Sequence, residues 1–476
     1  MLRALNALLC AFAARGVAGV NRWWGREHGS TLGMRFLLAG VGSVFLTRLA
    51  TAERSDGMWF DVLLLGLFFV VNTSRGVFRV MMPPRFLLRL FGETMVGVPL
   101  PYRRYGSCAY LDYNATSPIF PEVTREMLPY TGECFGNPSS IHIYGRACKA
   151  AVDKARERLA SLLDCKTDEI IFVASGSEAD NHAIVAALAL FARSPRSGGG
   201  NSPAATKSHV VSSVIEHPAV TKCLDHLASV GKVDVTYVGV SGQGRVSVED
   251  VKAALRPTTA LVTIMHSNNE VGALQPIKEI AAICRDRGIL CHSDAAQSVG
   301  KVVVKVSELG VDMLSVVGHK FGAPKGVAAL YVKRGLDLPP MVLGGGQESG
   351  RRAGTENVML IAGMGKAAEV VEVELVQLSK HMAAMRERLL ERIKGSLKQE
   401  VTVHGPTEPA WRLPNTLSIG VAGLDAHTLL GKLSEKVALS AGSACHSGAA
   451  HMSGVLNAMG VKESVGLGTL RLSVGR

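Results

Sequence analysis

The chain has 476 residues, 47% of them hydrophobic and 19% charged, which is enough apolar material for a large core and more than one domain. Its net charge of +12 sits mostly at the front, because residues 1–104 hold thirteen Arg, no Lys and five acids, a balance of +8. This composition excludes a disordered chain, and a body without a Lys/Arg stripe interleaved with aromatics gives no sign of nucleic-acid binding.

Met1–Ser30 place arginines among apolar residues with almost no acids, the composition of a mitochondrial transit peptide. An over-long reading frame whose true start is Met58 or Met95 accounts for the same stretch, and with it the cytosol or nucleus is the alternative compartment. Phe36–Leu46 and Val62–Val71 are apolar but shorter than the ~20 residues that span a bilayer, so no stable membrane insertion of the body is expected. We divide the chain into a leader (1–104), a large domain (105–365) and a smaller C-terminal domain (366–476). The nine cysteines form no CxxC pair, which points to reduced thiols and no metal site.

From Tyr110 onward strands and helices alternate, the signature of an α/β fold with a mainly parallel sheet. Glu169–Ala174 reads as a strand that turns at Ser175–Ser177 into a helix from Glu178 to about Arg193. Residues 194–207 form a polar insertion, SPRSGGGNSPAATK. Strands are expected at His209–Val214, Val233–Val238, Ala260–Met265, Ile289–Ser293, Met313–Val317 and Val327–Val332. A long helix follows from Leu360 to about Ser396, and Leu413–Arg476 mixes strands and helices. No internal repeat is present.

The chemistry is centred on VDMLSVVGHKFGAPKG, residues 311–326, where Lys320 lies just beyond a buried strand. In GILCHSDAAQ, residues 288–297, Asp294 occupies the same place on a second strand. An acid and a lysine at adjacent strand ends make either a plain salt bridge or a pyridoxal phosphate (PLP) site. In the latter, the lysine holds the cofactor as a Schiff base and the carboxylate keeps the pyridine nitrogen protonated. The turn at Gly176 and Ser177 is either a phosphate cradle or an ordinary helix cap. His217 in VIEHPAV can lie on a cofactor ring or be a surface histidine. Asn269 and Gln297 can bond a ring hydroxyl or belong to plain turns. Cys445, in a loop of small residues, is a mobile nucleophile or an exposed thiol. Arg471 has the planar fork that suits a substrate carboxylate, and can equally be a solvated terminal arginine.

Ten segments together resemble the cysteine desulfurase and selenocysteine lyase family: AYLDYNAT (109–116), GNPSS (136–140), IEHPAV (215–220), NNEVG (268–272), HSDAAQSVGK (292–301), GHK (318–320), GGGQESGRRAGTEN (344–357), RLPNT (412–416), GSACHSG (442–448) and LRLSVGR (470–476). The resemblance is collinear over residues 109–476. It implies an aspartate aminotransferase-like PLP-dependent transferase fold, with a large domain and a smaller α+β C-terminal domain. It implies that Lys320 binds the cofactor, Asp294 pairs with its pyridine nitrogen and His217 stacks on the ring. Asn269 and Gln297 would bond ring substituents, and Gly176, Ser177 and His319 the phosphate. Thr355 would reach the phosphate of a second subunit, which implies a homodimer. Arg471 would bind the substrate carboxylate, and Cys445 would be the nucleophile.

The implied reaction takes sulfur from L-cysteine, leaving alanine and a persulfide on Cys445 for a sulfur-acceptor protein, as in iron-sulfur cluster assembly. A selenocysteine lyase cleaves L-selenocysteine in the same way. EHPAV, APKG and RRAGTEN resemble desulfurases, whereas the insertion at 194–207, CHS and LRLSVGR resemble selenocysteine lyases; desulfurase is preferred. A non-catalytic scaffold and an aminotransferase or decarboxylase of the same fold are rivals. The chain departs from the family pattern in four ways. Val317 stands where many desulfurases have serine, ASGSEA replaces SGxTES, Gly322-Ala323 replaces Tyr-Gly, and the sequence stops at Arg476 where relatives carry a further helix.

Overall fold

A computed structural model of the chain describes residues 108–197, 207–441 and 451–476. The leader, most of the insertion at 194–207 and the loop with Cys445 lie outside the described residues. Strands β1 (Ala109–Tyr110), β2 (Ile170–Val173), β3 (Ser208–Ser213), β4 (Val233–Val238), β5 (Thr259–Thr263), β6 (Leu290–Asp294), β7 (Met313–Val317) and β8 (Ala328–Val332) open the body. All but β1 join one sheet of order β2-β8-β7-β6-β5-β3-β4. The pairs from β7 to β4 are parallel, and β8 runs antiparallel to both its neighbours. The reason lies in the connection: residues 318–327 are too few for the crossover that a parallel return requires. β2, β5, β7 and β8 are buried along their whole length, as expected for runs such as IIFV and AALYV covered on both faces.

The covering helices are α1 (Pro121–Met127), α2 (Ile143–Leu163), α3 (Gly176–Ala192), α4 (Pro218–Ser229), α5 (Val248–Ala254), α6 (Ile277–Asp286), α7 (Val306–Leu309) and α8 (Val358–Ser396). One core gathers Leu159 of α2, Ile280 of α6 and Met364 of α8 against one face of the sheet. A second gathers Ile184 of α3 and Leu224 of α4 against the other.

Helix α8 runs 39 residues without a break, so the boundary drawn at 365/366 falls inside it. Its first half is buried in the large core, while Leu389, Leu390 and Ile393 near its end pack on a second sheet. That sheet, of order β12-β13-β10-β9, is antiparallel and built from β9 (Val401–His404), β10 (Thr416–Val421), β12 (Ser440–Ala441) and β13 (Thr469–Ser473). Strand β11 (Val437–Ala438) pairs in parallel with β1 and ties the start of the body to its C-terminal part. Among the described residues no helix is long and apolar enough to cross a membrane, and no cluster of acids, histidines and cysteines suits a metal.

Candidate active site

Strands β6 and β7 lie side by side with Asp294 opposite Ser315, and beyond Val317 the chain makes one 3₁₀ turn, Gly318–Lys320. This brings the acid and the lysine to one edge of the sheet. Lys320 is half-buried, and its Nζ donates to the carbonyl oxygens of Asn114 (2.7 Å) and Ala115 (3.0 Å). Burial pushes its pKa down to about 8, assisted by the Arg471 cation and opposed by Asp294 and Asp112. Asp294 is buried, its Oδ1 accepting from Ala296 N at 2.8 Å. Burial raises its pKa, while the Ala296 N–H, His217 and Lys320 pull it back.

At the end of β3 two consecutive residues face opposite ways. Glu216 is buried and accepts from Met265 N at 3.0 Å and from Ser213 Oγ, and burial lifts its pKa to about 8. His217 caps α4 from the exposed side, its Nδ1 accepting from Ala219 N at 3.1 Å. Desolvation by the surrounding groups lowers the His217 pKa and favours the neutral imidazole, with Asp294 opposing.

The other expected residues fall around this centre. Gln297 is buried, its Nε2 donating to the Asn114 carbonyl at 2.9 Å. The Asn269 carbonyl accepts from Asn114 Nδ2 at 3.1 Å and from Arg471 Nη1 at 3.2 Å. Arg471 is buried on β13; its Nη2 reaches Asp112 at 2.9 Å and Ser440 Oγ at 3.1 Å, and its Nε has no partner. His319 contacts Thr116 Oγ1 through Nδ1 at 3.2 Å, and burial pushes its pKa down to about 4. Gly176 and Ser177 open α3, where the first amides have no intrahelical acceptor. Thr355 is exposed in the segment before α8. Cys445 lies outside the described residues, so its place is not part of this geometry. Sequence reasoning assigned no role to Asp112, Asn114 or Lys301, although all three stand inside quoted motifs; nothing in the sequence showed that LDYNAT folds against the lysine turn.

The class-V aminotransferase family model matches residues 109–476. Over 367 residues the chain is 40% identical to the cysteine desulfurase IscS of Dictyoglomus turgidum, covering 77% of this chain and 89% of that protein. It is also 40% identical over 371 residues to a cysteine desulfurase of Trichormus azollae, covering 78% of this chain and 88% of that one. The chain belongs to the cysteine desulfurases of the class-V aminotransferase family. Among solved structures, a NifS-like protein superposes with a TM-score of 0.69 at 32% identity, covering 77% of this chain and 94% of that one. A structure described as SspA in complex with cysteine has a TM-score of 0.66 at 34% identity, covering 77% and 99%.

Members of the family use PLP, and the donor set here suits that group: a lysine amine, a buried carboxylate, an imidazole and the free amides at the start of α3 meet at one sheet edge. The packing accommodates two of the departures from the family pattern. A Cβ on Gly176 would lie 2.5 Å from Val317 Cγ2, so the glycine makes room for the valine that replaces the usual serine. Gly322 has φ +87°, and a Cβ there would lie 2.4 Å from the Phe120 ring, so no tyrosine fits this turn.

Proposed function

We propose that this chain is a PLP-dependent cysteine desulfurase that releases L-alanine from L-cysteine and leaves the sulfur as a persulfide on Cys445. The observation that carries this reading is the convergence of Lys320, Asp294 and the buried guanidinium of Arg471 on one carbonyl-lined edge. The relatives named cysteine desulfurase, and the structural neighbour described with cysteine, support the substrate.

When bound, the cofactor supplies an electron sink for the carbanion at the substrate Cα. Lys320 would hold it and would move a proton at that carbon, a task suited to an amine whose pKa is about 8. Asp294 would hold the proton on the pyridine nitrogen, and His217 would flank the ring. Asn269 and Gln297 would hold ring substituents, and Gly176, Ser177 and His319 would hold the phosphate. Arg471 receives the substrate carboxylate. The Cys445 thiolate attacks the substrate sulfur: the sulfur-sulfur bond forms as the carbon-sulfur bond breaks. The electron pair left on carbon takes up a proton to give alanine.

A sulfur-acceptor protein then takes the persulfide sulfur, as iron-sulfur assembly requires. We further propose a homodimer in which Thr355 serves the partner's phosphate. The exposed apolar side chains Phe135 (73%), Ile141 (89%) and Leu343 (81%) favour a covered surface. The arginine-rich, lysine-free leader supports a mitochondrial address.

The experiment is to supply L-cysteine and L-selenocysteine separately and to measure alanine, sulfide and selenide for wild type and Cys445→Ala. Alanine from cysteine, lost in C445A, is expected. Alanine from selenocysteine alone would make the enzyme a selenocysteine lyase.

A further inference from the structure

Lys301 is 4% exposed, and the charges that act on it are the cations of Lys320 and Arg471, with no acid among them. An amine without an acid in such a place needs a reason, because burying an unpaired charge is costly. Its Nζ donates to Gln297 Oε1 at 2.7 Å. The other end of the same amide, Nε2, donates at 2.9 Å to the Asn114 carbonyl, which can only accept. That carbonyl also receives the Lys320 amine at 2.7 Å. Gln297 is therefore gripped by a donor on its oxygen side and an acceptor on its nitrogen side, which leaves one orientation of the amide.

We infer that Lys301 is a positioning residue, which through Gln297 Oε1 keeps the Gln297 NH2 turned toward the cofactor site. The inference rests on the reading of Gln297 as a cofactor-binding residue. One N–H of that NH2 is used on Asn114, and the second has no acceptor among the described residues. With Lys301 removed, one of the two bonds that orient the amide is lost and only the Nε2 bond to Asn114 remains, and a Gln297 that rotates would present an acceptor to an electron-rich ring oxygen. Burial holds the Lys301 pKa well below the usual lysine range, with Lys320 and Arg471 adding to the effect. Either protonation state still donates to Gln297.

The test is a double-mutant cycle on the PLP-loaded protein, with K301M, Q297A and the pair. The readout is the pH titration of the bound cofactor's visible band, with cofactor retention as a second measurement. K301M is expected to move the titration midpoint by about half a pH unit or more and to do nothing further in the Q297A background. K301Q, which keeps a donor, is expected to restore most of the wild-type midpoint, and a shift like that of K301M would overturn the inference. If K301M does not fold, K301Q is read against Q297A by the same criterion. An equal shift from K301M in the Q297A background would show that Lys301 acts directly by its charge, and would also overturn the inference. Unchanged titration in Q297A would instead remove the reading of Gln297 itself.

Discussion

Two backbone carbonyls, not a carboxylate, receive the Lys320 amine. Carbonyl dipoles stabilise an ammonium less than a full negative charge does, so burial dominates and the pKa falls to about 8. The second contribution is the Arg471 cation, itself held by Asp112. The rate at which cofactor-free protein captures PLP is therefore expected to rise with pH through a midpoint near 8, as the amine loses its proton. Arg471→Met removes a cation and frees the Asp112 carboxylate, and both changes favour the charged amine. Its midpoint is expected to move upward. Growth of the visible band after mixing with PLP measures both, and a wild-type midpoint in the ordinary lysine range, about 10.4, would contradict the argument.

At the scale of elements, the site depends on strand ends that stop in register. Glu216 is the buried clasp between the end of β3 and the chain leaving β5, through Met265 N. Its folded pKa of about 8 lies above the ordinary glutamate value of 4.5, so the folded state keeps a proton that the unfolded state gives up. Its contribution to stability accordingly declines as pH rises from about 4.5 to about 8 and levels off above. Glu216→Gln cannot ionise and keeps an oxygen for Met265. The unfolding free energy of the variant minus that of wild type is expected to increase from pH 5 to pH 8, at up to about 1.4 kcal/mol per pH unit. Parallel profiles would refute a buried neutral Glu216. The strands themselves were legible, because Met313–Val317 and Val233–Val238 are apolar or β-branched runs closed by glycine or polar residues, and the structure ends them at those residues. Lys320 and Asp294 were legible for the same reason, since each follows such a run. Lys301 was not: after SVG it has the sequence context of a surface lysine, and only the fold buries it. The antiparallel β8 was hidden too, because an apolar run does not state its direction.

For the whole molecule, Asn114 is where the separate parts are fastened. Its backbone N–H donates to Ser473 Oγ at 2.9 Å on β13, and its Oδ1 accepts from Asn415 Nδ2 at 2.9 Å beside β10. Its Nδ2 donates to Thr416 Oγ1 at 2.8 Å and to the Asn269 carbonyl at 3.1 Å, on the loop that follows β5. Its carbonyl holds Lys320 and Gln297. The second sheet, the loop after β5 and the lysine turn thus share one buried residue, and displacing it moves the acceptor of the Lys320 amine. Asn114→Ala removes three side-chain hydrogen bonds from a buried position, a loss on the order of 3 kcal/mol. Leu224→Ala, in the core on the α4 side of the sheet, costs a comparable 2–5 kcal/mol, roughly, without touching the site. If Asn114 sets the lysine's position, N114A slows PLP capture and shifts its pH midpoint, while L224A leaves both unchanged at a temperature where each variant is folded. Equal losses in the two variants would mean that Asn114 contributes stability alone.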